Sequence, residues 1–224
     1  MLFFTILSRV GPGRRRRDSM ATVLPRSFVS RRLHSLLGVI PIGAFLIEHL
    51  IANYSAVGGP EKFEATVRWI NSLPFVLLME IFFIYLPILF HAALGVVIAF
   101  QPKNTLPNYG YFRNWMFYLQ RLTGLITLIY IAWHVWETRV QAALGQPVNF
   151  EMMKNILDNP VSIAFYVIGI LSTVFHFSNG LWSFAVSWGL AVGPRAQRQM
   201  TYVSAIVFVF LSYVGLMALF AFIA

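Results

Sequence analysis

Apolar runs alternate with short polar stretches along the chain, and the runs at about 33–53, 75–100, 117–140, 161–188 and 201–224 each have the length of a helix. About 20 apolar residues cross the hydrocarbon core of a bilayer as a helix, so the pattern predicts five spans joined by short loops. The fold class is therefore read as all-α, an integral membrane five-helix up-and-down bundle. Between the first two runs, Gly59-Pro60-Glu61 reads as a helix start, and Phe63, Val67 and Ile70 recur on one face. Asn149 to Asp158 repeats that design with Phe150, Met153, Ile156 and Leu157, bracketed by Pro147 and Pro160. Two short helices lying on the membrane surface, both on the same side, are expected.

Residues 1–27 are placed outside this fold. Their apolar start, Leu2 to Leu7, is too short for a signal-peptide core, and Arg14 to Arg17 follow it. A cytoplasmic leader, or an extension from an upstream start codon, is expected there, ahead of a membrane domain over 28–224.

Composition changes the picture in one respect: it makes lipid the solvent. Hydrophobic residues make up 58% of the chain and charged ones 11%, against an apolar share of about 45–50% in soluble domains. The net charge of +9 does not point to nucleic acid, because the basic residues gather at the ends of apolar runs rather than along one polar face. They also orient the bundle. The N-terminal segment and the loops after the second and fourth spans hold 13 of the 17 Lys and Arg residues, while Lys62, Arg68, Arg139 and Lys154 lie on the other side. The positive-inside rule then puts the N-terminus in the cytoplasm and the C-terminus outside. With no cysteine, disulfides, thiolate-held iron–sulfur clusters and covalent haem attachment are excluded.

Candidate chemistry lies in the histidines. His49, His91, His134 and His176 fall in the first four spans, one in each, at intervals of 42, 43 and 42 residues. Ionisable groups inside a bilayer are costly and mark functional sites, although a lone imidazole can also simply bond a neighbouring helix. The spacing changes that balance. In an up-and-down bundle it puts His49 and His134 toward the outer face and His91 and His176 toward the cytoplasm. Two facing pairs result, at two depths. Two isolated imidazoles leave a tetrahedral zinc shell half empty, whereas they fill both axial positions of a porphyrin iron. The expectation is two b-type haems with axial pairs His91/His176 and His49/His134, closed to oxygen and suited to electron transfer. Phe90-His91 is followed by Gly95 and Phe175-His176 by Gly180, which offers bare backbone one turn from each ligand for a flat ring; close helix packing is the alternative reading. Arg31, Arg32 and Arg121 begin the first and third spans, within reach of haem carboxylates near that face.

The segments Arg31-Arg32-Leu33-His34-Ser35-Leu36-Leu37-Gly38-Val39-Ile40-Pro41, Arg113-Asn114-Trp115, Gln120-Arg121, Trp133-His134-Val135-Trp136-Glu137-Thr138-Arg139 and Phe175-His176-Phe177-Ser178-Asn179-Gly180-Leu181-Trp182-Ser183-Phe184 carry a resemblance. From about Phe28 to the C-terminus the sequence resembles the b-type cytochrome membrane anchors of succinate:menaquinone oxidoreductases, the single-chain di-haem type of Bacillus and its relatives. The resemblance implies a complex in which a flavoprotein oxidises succinate and an iron–sulfur subunit relays electrons. This chain would anchor both and pass electrons through two haems to menaquinone near the outer side. It assigns His91 and His176 to the haem nearer the iron–sulfur subunit, and His49 and His134 to the outer one. Glu48 lies outside the resemblance. Its position beside His49 makes it a candidate to supply protons to a reduced quinone. Two other readings stay open: the anchor of a quinol:fumarate reductase running in reverse, and a transporter or proton channel whose histidines form a relay.

Overall fold

The computed structural model describes residues 28–101 and 108–224. The chain divides into two units, residues 1–33 and His34–Ala224. In the first, described from Phe28, the Arg32 guanidinium lies 5.0 Å from the Phe28 ring centre. The expected leader over 1–27 lies outside the described residues.

Five helices are long and apolar enough to cross a membrane: Phe28–Gly58, Val76–Phe100, Phe112–Ala143, Pro160–Ser187 and Gly193–Ala221. They are the five predicted spans, with ends moved by a few residues, and among the described residues there is no strand. The two predicted surface helices are also present, at Pro60–Asn71 and Phe150–Ile156. Each start has a local cause. Gly59 enters the first of them at φ +91°, a conformation open to glycine, and Pro60 then presets the helical φ of the first turn. Asn149 caps the second by accepting from the Met152 amide at 2.9 Å, and Asn159 caps the fourth span by accepting from Ser162 at 3.0 Å. The two surface helices meet through Phe63 and Phe150, whose ring centres are 6.2 Å apart. They therefore share one face of the bundle, called here the surface-helix face.

Packing is closest along a series of third, fourth, fifth and first spans, while the second span joins the first and third more sparsely. The four histidine-bearing spans thus form a ring, and the fifth covers the seam between the first and fourth. One apolar cluster (Leu50, Val174, Leu211, Val214) holds that seam. Another, built from Phe63, Tyr130, Leu157, Tyr166 and Phe222, closes the surface-helix face. Close approach depends on small residues, as in other helical membrane proteins. A Cβ on Gly43 would meet the Phe177 ring at 2.4 Å, and one on Gly169 the Tyr130 ring at 2.2 Å. Large apolar side chains such as Phe82, Leu89, Ile129, Ile206 and Val209 point outward, which is expected where the solvent is hydrocarbon.

The first span ends in a 3-10 turn over Ser55–Gly58, and two other stretches depart further from the α-helical pattern. Glu80–Tyr85 in the second span and Trp136–Val140 in the third are π-helical, and both lie in the half of the bundle next to the surface helices. Such turns occur mostly at functional sites. Arg139 in one of them bonds Glu80 in the other at 2.7 Å, tying the second and third spans together.

Candidate functional site: two imidazole pairs

The four spaced histidines do meet as two pairs. His91 and His176 have ring centres 6.1 Å apart with planes at 89°; His49 and His134 are 5.8 Å apart at 77°. A first-row metal held between two imidazole nitrogens at about 2.0 Å each sets the ring centres about 6 Å apart. Both pairs have that separation.

Hydrogen bonding decides which nitrogen of each ring is available. His91 Nδ1 lies 2.9 Å from the carbonyl oxygen of His34, and His176 Nδ1 3.0 Å from that of Gln120. A carbonyl only accepts, so both Nδ1 atoms carry the proton and both Nε2 atoms carry a bare lone pair. At His134 the same result comes through a side chain. The Tyr166 hydroxyl spends its one proton on Glu137 Oε2 at 3.0 Å, and its oxygen stands 3.3 Å from His134 Nδ1, which must therefore donate. His49 is arranged differently: the Asn53 amide donates at 2.8 Å to the His49 carbonyl and lies 3.4 Å from Nε2, so the one polar side chain at that nitrogen is a donor facing its lone pair. Three rings thus present a bare Nε2 lone pair, and on the fourth, His49, the Nε2 lone pair faces the Asn53 amide. Among the described residues no group of three or more His, Cys, Asp or Glu could hold a metal ion. Two imidazoles suit a metal that brings its other ligands with it.

The surroundings differ from the sequence-based expectation in two respects. A Cβ on Gly95 would meet His34 at 3.2 Å, and one on Gly180 would meet Gln120 at 3.6 Å, so neither glycine is the nearest bare backbone to a ligand ring. Gly38 and Gly124 are: a Cβ there would stand 2.5 Å from His91 and 2.8 Å from His176. The signal was in the sequence, because the first and third spans each carry a glycine ten or eleven residues before their histidine. Three helical turns separate them, which sets the glycine level with the other pair. Second, His34, for which the sequence offers water, a partner subunit or a haem propionate as the neighbour, stacks on His91 at 3.9 Å with planes 11° apart. Glu48 is exposed on the first span, and a further carboxylate, Glu137, reaches the His49/His134 pair through the Tyr166 hydroxyl. Arg121 extends toward the end of the second span, 3.5 Å from the Ala99 carbonyl, with its guanidinium 5.0 Å from the Phe117 ring centre.

A polar clasp supports the His91/His176 pair. Gln120 Nε2 donates to the His176 carbonyl at 3.0 Å, and Asn179 donates to Gln120 Oε1 at 2.7 Å and to the Met116 carbonyl at 3.2 Å. Beyond it, Arg113 lies 3.8 Å over the Trp182 ring and bonds Thr201, while Trp182 donates to the Gln197 carbonyl at 3.0 Å. The fifth span is anchored by these contacts. At the other end a polar recess is lined by Glu137, Gln141, Asn149, Asn155, Asn159 and Ser162.

Fold and site together define a class: a multi-pass helical membrane protein that presents paired, unprotonated imidazoles between neighbouring spans. Comparison with known proteins gives the family. Residues 103–216 match the model of the succinate dehydrogenase/fumarate reductase transmembrane subunit. The chain is also 59% identical to the succinate dehydrogenase cytochrome b558 subunit of Bacillus subtilis (strain 168) over 198 residues, which cover 88% of this chain and 98% of that protein. The chain belongs to the succinate dehydrogenase/fumarate reductase transmembrane subunit family.

Proposed function

We propose that this chain anchors the flavoprotein and iron–sulfur subunits of a succinate dehydrogenase to a bacterial inner membrane and carries electrons through two b-type haems to menaquinone. The observation that carries the reading is the double pairing of imidazoles at 6.1 and 5.8 Å, each ring presenting an unprotonated nitrogen. Haem, held by the two imidazoles of each pair, would supply a reversible one-electron carrier. The chain's own part is to hold His91 with His176 and His49 with His134, to keep the Nδ1 protons of His91, His176 and His134 on oxygen acceptors, and to exclude water with apolar spans. Gly38 and Gly124, with Gly95 and Gly180 a turn further on, leave room beside the rings, and Arg121 offers a cation at the end where carboxylates would emerge.

The arginine and lysine distribution supports an N-terminus in the cytoplasm, which puts His91/His176 nearer the iron–sulfur subunit and His49/His134 nearer the outside. Menaquinone is then reduced beside the His49/His134 pair. Glu48, exposed on the first span next to His49, is the carboxylate a quinone arriving from the lipid would meet. The family also includes anchors of fumarate reductases, in which the same wire runs in reverse. A histidine relay for transport needs protonated and unprotonated rings to alternate, and the carbonyl acceptors at His91 and His176 hold one tautomer instead. Haem content per polypeptide in the purified complex tests the proposal: two are expected, with b-type bands in the reduced-minus-oxidised spectrum, and one or none overturns it.

A further inference from the structure

The two pairs are supported by different chemistry. At His91 and His176 the Nδ1 proton goes to neutral backbone carbonyls. At His134 it goes to a tyrosine hydroxyl whose own proton goes to a carboxylate. We infer that Glu137, acting through the Tyr166 hydroxyl, is a positioning residue that holds His134 in its metal-binding tautomer and lowers the reduction potential of the haem at the His49/His134 pair. The inference rests on the ligation proposed above.

Tyr166 is 2% exposed and fixed on three sides. Its ring meets Tyr130 edge-on at 5.5 Å and His134 at 5.7 Å, and Phe165 packs at 6.0 Å. A hydroxyl so confined has one proton to give and lone pairs left to accept, so the order imidazole to tyrosine to carboxylate is the only one the donors allow. Glu137 sits in the π-helical stretch just past His134 and also lines the polar recess, so the chain runs from the recess to the ring. Histidine ligands commonly donate their second N–H to a carboxylate, directly or through a relay, and such partners raise the basicity of the ligand. A more basic imidazole stabilises the oxidised iron relative to the reduced one. The step concerned is the arrival of a single electron supplied by the complex's own reaction; no bond is made or broken, and the Tyr166 and His134 protons stay where they are.

Redox titration of the b-type bands in the assembled complex, together with haem content, tests this. In Glu137→Gln both haems are expected to remain, while the His49/His134 haem becomes easier to reduce. The expected change is about tenfold in its reduced-to-oxidised ratio at a fixed potential, or about 59 mV for one electron. Tyr166→Phe should shift the same haem in the same direction, and Glu137→Asp should restore most of the original value. The other haem should not move. Unchanged potentials in both variants overturn the inference, as does an equal shift of both haems. A shift in Glu137→Gln without one in Tyr166→Phe also overturns it, because the charge then acts through space. Should Glu137→Gln not accumulate, Tyr166→Phe decides alone, since it keeps both the ring and the carboxylate. Failure of the underlying ligation is distinguishable: His134→Leu would then keep both haems.

Discussion

The half of the bundle around His91 and His176 and the half around His49 and His134 solve one problem with different materials. In the first half the spans are regular α-helix, glycines face the rings, and main-chain carbonyls take the Nδ1 protons. In the second, two π-helical turns, a Glu80–Arg139 ion pair and a tyrosine–carboxylate chain surround the rings, with Phe45 and Tyr130 packed one turn before His49 and His134. A carbonyl partner is present whatever the side chain, carries no net charge and cannot be lost by a point substitution. A side-chain partner can be charged, changed or removed. On the ligation proposed above, the first half is therefore built for constancy, and the second is where sequence variation would adjust a potential.

The strongest way to break the comparison is to remove a ligand. His176→Leu or His91→Leu should remove about half of the haem and leave the His49/His134 spectrum in place; His49→Leu or His134→Leu should do the reverse. Loss of both haems from any one variant would mean that the halves do not fold independently. Glycine substitution should come next. Gly38→Val or Gly124→Val puts methyl groups where a single Cβ already stands 2.5 or 2.8 Å from an imidazole, so one of the two haems should be lost or its bands shifted. Overpacking of this kind typically costs about 1–3 kcal/mol. Gly180→Ala, with 3.6 Å to its nearest neighbour, should leave haem content unchanged by the same assay.

A smaller effect is expected from the clasp. Gln120→Leu removes the partner of Asn179 and the donor to the His176 carbonyl, which leaves buried polar groups unpaired at about 1–3 kcal/mol. Thermal loss of the His91/His176 bands should occur at lower temperature, ahead of the other pair. Since the His176 Nδ1 bond goes to the main-chain oxygen of Gln120, ligation itself should survive. The smallest effect is at Glu80→Gln. An ion pair this exposed is worth at most about 1 kcal/mol, so haem content should hold and only the thermal midpoint should fall slightly. A large loss there would show that the π-helical half depends on the pair for its geometry.

Five spans, two surface helices and four histidines at matched intervals were legible because each depends on chain-local rules: hydrophobic length, helix-start residues, and one imidazole per span. His49, His91, His134 and His176 could be paired from topology alone, because up-and-down connection alternates the direction of successive helices. What the sequence did not reveal is rotation of each helix about its axis and the identity of its neighbours. Gly95 and Gly180 drew attention because they stand near histidines in the chain, yet Gly38 and Gly124 face the rings, since closeness across the bundle is set by which spans pack together. Glu48 drew attention because it stands next to His49 in the chain; the approach of Glu137 to the same pair through Tyr166 was not legible in that way, because it depends on which helices meet. Protonation of the imidazoles lay furthest from the sequence, because it follows from carbonyl and hydroxyl oxygens contributed by other helices, and those meet the rings only when the bundle closes.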